Sequence, residues 1–182
     1  KDLNSRLWSS PSGKSYLEQN LNRLYWQSKF LSTTFKVGRQ AVTFGKGRVL
    51  SPMNLFSRVP LYSIGVDYAN GIDAVQGNYH FTSVDELEVT TFSVHNKQAV
   101  SLKGSSEFFS LDGELTLISL EDTKIAGLSF EYPIGIFSFW SDASFFYKKN
   151  KVTSAHTTFG LTAFLGPDRS VIFEIYTPHG DL

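Results

Sequence analysis

The 182-residue sequence contains no cysteine and no long apolar run. The absence of cysteine excludes disulfide bonds, thiolate-bound metals and a cysteine nucleophile. No segment approaches the ~18 apolar residues that suggest a membrane-spanning helix. The stretch richest in aromatic and aliphatic residues, 132–140, is interrupted by Pro133, Gly135 and Ser138. A helical membrane protein is therefore excluded, whereas a membrane β-barrel, whose strands need only about ten residues each, stays open.

Charge of one sign is also lacking. The 17 Lys and Arg residues balance 17 Asp and Glu residues, so the formal net charge is zero, and charged residues make up only 19% of the chain. Binding of nucleic acid through bulk charge is excluded, because phosphate recognition needs a cationic face. Aromatic residues are abundant instead, at 15%. Low charge and many aromatic side chains indicate a large apolar surface.

Alternation with a period of two residues runs through much of the sequence. Between residues 135 and 147, Phe137, Phe139 and Phe145 lie on one parity, while Ser138 and Asp142 lie on the other. The same alternation recurs in residues 74–81, 125–132, 157–165 and 170–176. Such a period is typical of β-strands with one apolar face, so we predict an all-β fold.

Clusters of turn-forming residues separate these segments. They are Ala69-Asn70-Gly71, Asp112-Gly113, Pro133-Ile134-Gly135, Lys148-Lys149-Asn150-Lys151 and Gly166-Pro167-Asp168. Short turns between strands of similar length predict antiparallel hairpins in sequence order, an up-and-down meander of roughly ten strands. We interpret residues 1–182 as one β-barrel domain or a segment of a barrel, with residues 1–20 a less certain lead-in. Leucines at helical spacing in residues 16–25 compete with a strand, and we favour a strand from about Leu21.

Alternation alone does not determine which face of the strands lies inside. Aromatic residues near strand ends suit the interfacial girdles of a membrane barrel. The opposite parity carries polar groups at mid-strand positions, which suit a water-filled lumen: Gln76, Asn78, Glu88, Glu131, Asp142 and Glu174. A soluble barrel or sandwich, in which these groups face solvent on the outside, remains open.

One segment resembles a signature of Gram-negative outer-membrane porin-like barrels of the alginate-export-like type. Gly38-Arg39-Gln40 is similar to the end of a strand in that family, Phe44-Gly45 to its aromatic-glycine pair, and Asn54-Leu55-Phe56 to part of the following loop. Residues 71–75 resemble the return strand. The resemblance covers most of the chain from about Leu24 onward.

This resemblance implies a transmembrane β-barrel in the bacterial outer membrane that lets small polar or anionic solutes diffuse passively. The expected partners are the lipid bilayer and the solutes, and the expected assembly is a homo-oligomer, as is common among porins. No catalytic residue, metal or cofactor is expected. Family members are longer, so we expect the chain to be a piece of a larger barrel. The alternatives are a soluble β-barrel that binds a small apolar ligand and a structural envelope barrel that does not conduct.

The candidate site residues are those that could line or support a constriction in the pore. They are Arg39, Gln40, Arg48, Asn54, Asp67, Asp73, Gln76, Asn78 and Glu88, with Gly38, Gly45 and Gly47 at expected backbone turns or bulges. Strict alternation places Arg39 on the lipid-facing parity, so either a bulge near Gly38 shifts the register or Arg39 lies at the strand end. Arg39 and Arg48 could form a constriction that favours anions. We favour a structural role in which Arg39 fixes the loop through carbonyl groups, Asp67 or Asp73.

Other groupings offer weaker signals. His80 with Asp85, Glu86 and Glu88 could hold a divalent cation, but a solvated hairpin end is the favoured interpretation. The sequence has no Gly-x-Ser-x-Gly elbow or His-Glu-x-x-His motif, and Gly45-Lys46-Gly47 lacks the spacing of a phosphate-binding loop. We therefore predict that the chain is not an enzyme.

Overall fold

The computed structural model describes residues 4–9, 16–20, 23–48, 51–53, 71–94, 97–148, 151–166 and 169–179. Its regular elements are twelve β-strands. They are β1 (Asn4–Ser9), β2 (Tyr16–Asn20), β3 (Leu24–Phe30), β4 (Thr33–Gln40), β5 (Ile72–His80), β6 (Glu86–Val94), β7 (Lys97–Phe108), β8 (Leu111–Leu120), β9 (Thr123–Ile134), β10 (Phe137–Lys148), β11 (Lys151–Gly166) and β12 (Arg169–His179). None of the described residues forms a helix of the length and hydropathy that crossing a membrane requires.

Ten of these strands form one antiparallel sheet. Strands β3 to β12 pair in sequence order, and β1 pairs with β2 in a separate two-stranded sheet. The predicted up-and-down meander of roughly ten strands is confirmed. The helix considered for residues 16–25 is not formed, because Tyr16–Asn20 is strand β2 and β3 begins at Leu24. Within the described strands, the ladder runs from β3 to β12 without a pairing between these two.

The turn predictions had mixed outcomes. The turn after Pro133-Ile134 lies at Gly135-Ile136, where Gly135 has a φ of +60°. The turn predicted at Asp112-Gly113 is wrong, because both residues pair within β8 and the chain reverses at Phe109-Ser110. The cross-strand ladder simply extends further, as far as the pair Phe108–Leu111. The predicted turn residues 69–70, 149–150 and 167–168 lie outside the described residues.

The two faces of the ten-stranded sheet differ sharply in exposure. Along β10, Phe139 is 46% exposed, whereas its neighbour Trp140 is 3% exposed and Asp142 is fully buried. The exposed side, here called the apolar face, carries large side chains on every strand, including Phe35, Val75, Val89, Leu102, Leu117, Leu128, Phe159 and Phe173. The buried side, here called the polar face, carries Gln76, Glu88, Thr90, Ser101, Glu114, Thr116, Ser129, Asp142, Ser144 and Thr158. This distribution is the reverse of the usual soluble sheet, whose buried side is apolar.

The sheet curls around its polar face. Strands β4 and β10 are six strand spacings apart, or about 29 Å along a flat sheet. The chain leaves β4 at Gln40, yet the amide of Lys46 lies 2.8 Å from an oxygen of Asp142 in β10. Six residues span at most about 22 Å. Gln40 also lies seven residues along β4 from Thr33, which shares a cross-strand row with Ala143, so the separation along a flat sheet is larger still. The sheet must therefore be strongly curved, with the polar face on the concave side.

A short segment after β4 fills part of this concave side. We call residues 41–48 and 51–53 the inner loop. Its side chains Val42, Phe44 and Met53 pack into an apolar cluster with residues of the sheet, namely Ala74, Phe92, Ala99, Ile118 and Ile125. Phe44 and Met53 are 1% and 0% exposed. The apolar side chains of the inner loop are thus buried as fully as those of a protein core, while Thr43 and Arg48 of the same segment are exposed.

Candidate functional site: the inner loop on the polar face

The backbone of the inner loop is anchored by two carboxylates. The amide of Lys46 donates to Oδ1 of Asp142 at 2.8 Å, and the amide of Gly47 donates to Oδ2 at 2.8 Å. The hydroxyl of Ser51 donates to the same Oδ2 at 2.8 Å. The amide of Gly45 donates to Oε1 of Glu114 at 2.9 Å. Successive backbone N–H groups that converge on an anion form a concave binding site, and here the protein's own carboxylates occupy it.

Two ion pairs fix the side chains of the same segment. The Lys46 ammonium lies 2.5 Å from Oδ2 of Asp112 in β8, and the Arg48 guanidinium lies 2.5 Å from Oε1 of Glu131 in β9. Ser138 donates to the same oxygen of Glu131 at 2.6 Å. The loop is therefore held by β8, β9 and β10 together, and each of its two described cations has a carboxylate partner.

Close approach of the loop requires glycine at specific positions. A Cβ atom on Gly127 of β9 would overlap the sulfur and methyl group of Met53. A Cβ on Gly45 would lie 2.6 Å from both Oδ2 of Asp142 and Oγ of Ser51, and Gly45 has a φ of +83°. A Cβ on Gly47 would lie 2.7 Å from the Cα of Ser51. The loop and the sheet are thus matched in shape as well as in hydrogen bonding.

Two rows of carboxylates cross the polar face beneath the loop. In the first row, Glu86 pairs across to Ser105, which is followed by Glu114, Ser129 and Asp142 on successive strands. The second row runs across six strands, from β7 to β12. Its residues, in order, are Glu107, Asp112, Glu131, Trp140, Gly160 and Glu174. We call these seven carboxylates, Glu86, Glu107, Asp112, Glu114, Glu131, Asp142 and Glu174, the acidic band.

A further ion pair lies in the adjacent row of the same face. Lys103 is 3.1 Å from Oε2 of Glu88, and these two residues are direct cross-strand partners. The hydroxyl of Thr90 donates to Oε1 of Glu88 at 3.0 Å. The predicted pore-lining residue Glu88 is therefore buried and neutralised by its neighbour.

The structure separates the two arginines of the predicted constriction. Arg48 belongs to the inner loop, whereas Arg39 keeps the parity of Phe35 and Val37 on the apolar face. The ladder has no register shift at Gly38, although Gly38 has a φ of +128°. Arg39 is next to last in β4, so the expected position at the strand end is correct and the alternative of a register-shifting bulge is wrong. Its cross-strand partner is Asp73, one of the two carboxylates considered for it.

The other predicted residues lie on the polar face or outside the described residues. Gln40 is 1% exposed, and its Nε2 donates to the carbonyl of Ala74 at 3.5 Å. Gln76 and Asn78 lie opposite Thr90 and Glu88 in the ladder. Asn54 and Asp67 fall outside the described residues, so their predicted roles are not tested.

The residues considered for a divalent cation do not converge. Asp85 accepts hydrogen bonds from Thr82 of its own turn and from Ser106 of β7, while Glu88 pairs with Lys103. His80 lies 3.4 Å from Glu86. Among the described residues, no group of three or more His, Asp or Glu side chains is placed to hold a metal.

Sequence reasoning missed several residues of the loop contact. Glu114, Asp112 and Lys46 were not among the candidates, and Asp142 and Glu131 were recognised only as polar mid-strand positions. The alternation of the sequence shows which face of its strand each carboxylate lies on. It does not show that the carboxylates bind the inner loop, because the loop residues lie 66 to 96 positions away along the chain. The chain matches no protein-family model, no curated protein and no solved structure.

Proposed function

We propose that this chain forms a porin-like channel, or part of one, in a bacterial outer membrane, and that small polar solutes diffuse through it passively. The supporting observation is the reversed distribution of its side chains. The convex side of a curled antiparallel sheet is covered by aromatic and branched aliphatic residues, and the concave side is lined by Ser, Thr, Gln, Asp and Glu. A sheet with this distribution suits hydrocarbon outside and water inside.

The size of the exposed apolar surface supports a lipid partner. Monomeric soluble proteins rarely expose a contiguous apolar patch above a few hundred Å². Here the apolar face continues across neighbouring strands, from Trp26 on β3 through Leu128 on β9 to Phe173 on β12. A bilayer covers such a surface without requiring a specific partner for each side chain.

The polar face counts against a soluble barrel that binds an apolar ligand. Such a barrel encloses its ligand with apolar side chains, whereas the concave side here carries charged and hydroxyl groups at mid-strand. The apolar cluster that does lie on this side is filled by Val42, Phe44 and Met53 of the chain itself.

The inner loop narrows the space enclosed by the sheet, as a constriction does in a selective channel. The same close docking favours a second candidate, an envelope barrel whose loop blocks passage. The two candidates differ in conductance alone, because both need the apolar face in lipid. We no longer expect Arg39 and Arg48 to make the channel prefer anions, because Arg39 lies on the apolar face and Arg48 is paired with Glu131.

Electrical recording from the purified chain in a planar bilayer tests this proposal. We expect the chain to require detergent for extraction and to give stepwise conductance increments in 1 M KCl. A protein that stays monomeric in buffer without detergent would contradict the membrane assignment. Stable insertion without conductance would favour the blocked barrel over the channel.

A further inference from the structure

The apolar face contains a groove near one end of strands β7 to β10. It has a volume of about 560 Å³, within the range of small-molecule sites, and its lining includes Val100, Leu102, Leu117, Lys124, Ala126 and Tyr147. We call it the rim groove. In the ladder, Ala126 lies between its cross-strand partners Leu117 and Phe145. The short side chain of Ala126 between two larger ones leaves a depression that the protein itself does not fill.

Lys124 lies in this groove, and its charge is unusual for the apolar face. Across strands β4 to β11, the charged residues at positions of this face are Arg39, Asp73 and Lys124. Arg39 and Asp73 are cross-strand partners of opposite sign. Lys124 instead pairs with Ser119 and Tyr147, and it forms no ion pair with any residue that the structure describes. An ammonium group beside lipid needs an anion or water as its partner.

Two further lysines lie at the same rim of the sheet. Lys148 ends β10, Lys151 begins β11, and the two exposed residues are direct cross-strand partners. Neither has a carboxylate partner within the described part of the chain. The carboxylates of the adjoining turn, Glu121 and Asp122, both interact with Lys97. Because like charges directly opposite each other destabilise a ladder, an anion bound at this rim would be stabilising.

From this arrangement we infer that the rim groove binds one anionic phospholipid, with an acyl chain in the groove and the headgroup phosphate on Lys124. The inference rests on the proposed function, because lipid reaches the apolar face only in a membrane. Lys124 is the second residue of β9, which suits the level of the headgroups, while Ala126 lies one row deeper. The apolar walls supply contacts that a free phosphate ion cannot make.

Substitutions can test the charge and the groove separately. Lys124→Gln removes the ammonium, Lys124→Arg keeps a positive charge, and Ala126→Leu fills the groove. Lys29→Gln is the matched control for charge, because Lys29 is an exposed lysine on the distant strand β3. Ala163→Leu is the matched control for size, because Ala163 is a half-buried alanine of the same face on β11, outside the groove.

The measurement is native mass spectrometry of the detergent-purified chain, titrated with phosphatidylglycerol, phosphatidylcholine or inorganic phosphate. We expect one phosphatidylglycerol to bind about fivefold more tightly than phosphatidylcholine, the effect of one lysine near an anionic headgroup. Lys124→Gln should abolish this preference and Lys124→Arg should keep it. Ala126→Leu should weaken the binding of both lipids by about fourfold or more, as expected for the loss of at least one buried methylene. Both controls should behave like the unsubstituted chain.

Each contrary outcome overturns a distinct statement. Equal affinities for the two lipids in the unsubstituted chain would overturn the lipid site and leave the channel proposal standing. A preference that survives Lys124→Gln, or lipid binding that Ala126→Leu does not weaken, would overturn the assignment to the rim groove. Displacement of phosphatidylglycerol by inorganic phosphate would overturn the role of the acyl chain. Absence of conductance in a planar bilayer would overturn the channel alone, since lipid binding is measured independently of it.

Discussion

At the scale of single residues, the loop contact depends on one position without a side chain. Met53 is fully buried against Gly127, and even a methyl group at Gly127 would overlap its thioether. Gly104 on β7 has no neighbour within 4 Å of the equivalent position. Both glycines lie within strands, so substitution by alanine changes strand propensity similarly at the two sites.

Gly127→Ala should therefore loosen the inner loop, whereas Gly104→Ala should not. Overpacking at such a site costs about 1–3 kcal/mol. Trypsin measures the effect directly, because Lys46 and Arg48 lie in the loop and are held against the sheet. We expect faster cleavage after these two residues in Gly127→Ala only. Equal cleavage rates in the two variants would show that Met53 does not control the docking.

Asp142 provides a second test at the same scale. Its two oxygens accept three hydrogen bonds, from the amides of Lys46 and Gly47 and the hydroxyl of Ser51. Asp142→Asn replaces one acceptor by an NH₂ group that faces donors, and charge-assisted hydrogen bonds contribute about 1.5–3 kcal/mol each. We expect loop docking to weaken by ~2–4 kcal/mol.

Hydrogen exchange at the amides of residues 45–47 reports this change. Protection of Lys46 and Gly47 should fall strongly in Asp142→Asn, while Glu114→Gln retains an acceptor for Gly45 and should preserve most of the protection there. Unchanged protection in Asp142→Asn would mean that the apolar cluster alone holds the loop.

At the scale of elements, the strands were predictable because their alternation is local, but several turns were not. Leu31, Phe109, Ser110 and Glu121 adopt positive φ in hairpin turns although none is glycine or asparagine. Their conformation is imposed by the pairing of the strands on either side, which sequence signals of turn chemistry do not record. The candidate site was predicted only in part, because local sequence signals reveal some of its residues and long-range strand pairing brings in the others. Arg48 and Gly45 were found from a local motif, whereas Glu114 and Asp112 join the site only through long-range register.

The stability of the five-residue connection between β5 and β6 should depend on pH through Asp85. Hydrogen bonds from Ser106, and then from Thr82, hold the pKa of Asp85 below its usual value of 3.8. A lowered pKa means that the carboxylate stabilises the folded turn above pH 3.8, and that this contribution is lost as pH falls through the lower folded value. We expect the protection of the Val84 and Asp85 amides, which donate to Thr82, to fall in acid relative to their intrinsic exchange rates.

Asp85→Asn is the control for this titration. Its exchange rates should follow only the intrinsic pH dependence of amides, with no additional transition below pH 4. An identical acid transition in both proteins would assign the effect to a group other than Asp85.

At the scale of the whole molecule, the meander and its curvature bring together residues that are distant in the chain. The sheet buries a polar face and exposes an apolar one, so burial of apolar side chains within the protein is confined largely to the cluster beneath the inner loop. The stability of such a sheet depends on the medium that covers its convex side. We therefore expect the chain to keep its ordered fold in a bilayer or detergent and to aggregate in plain buffer.

In the proposed channel, the apolar face contacts lipid and the polar face contacts water. Because the chain has no cysteine, single cysteines at residues 100, 102, 105 and 107 of β7 can each carry one spin label without background. In lipid vesicles, labels replacing Val100 and Leu102 of the apolar face should collide preferentially with oxygen, and labels replacing Ser105 and Glu107 of the polar face, which are not fully buried, with a water-soluble nickel chelate. This alternation is the predicted result; the opposite alternation, or equal access of the chelate to all four positions, would contradict it.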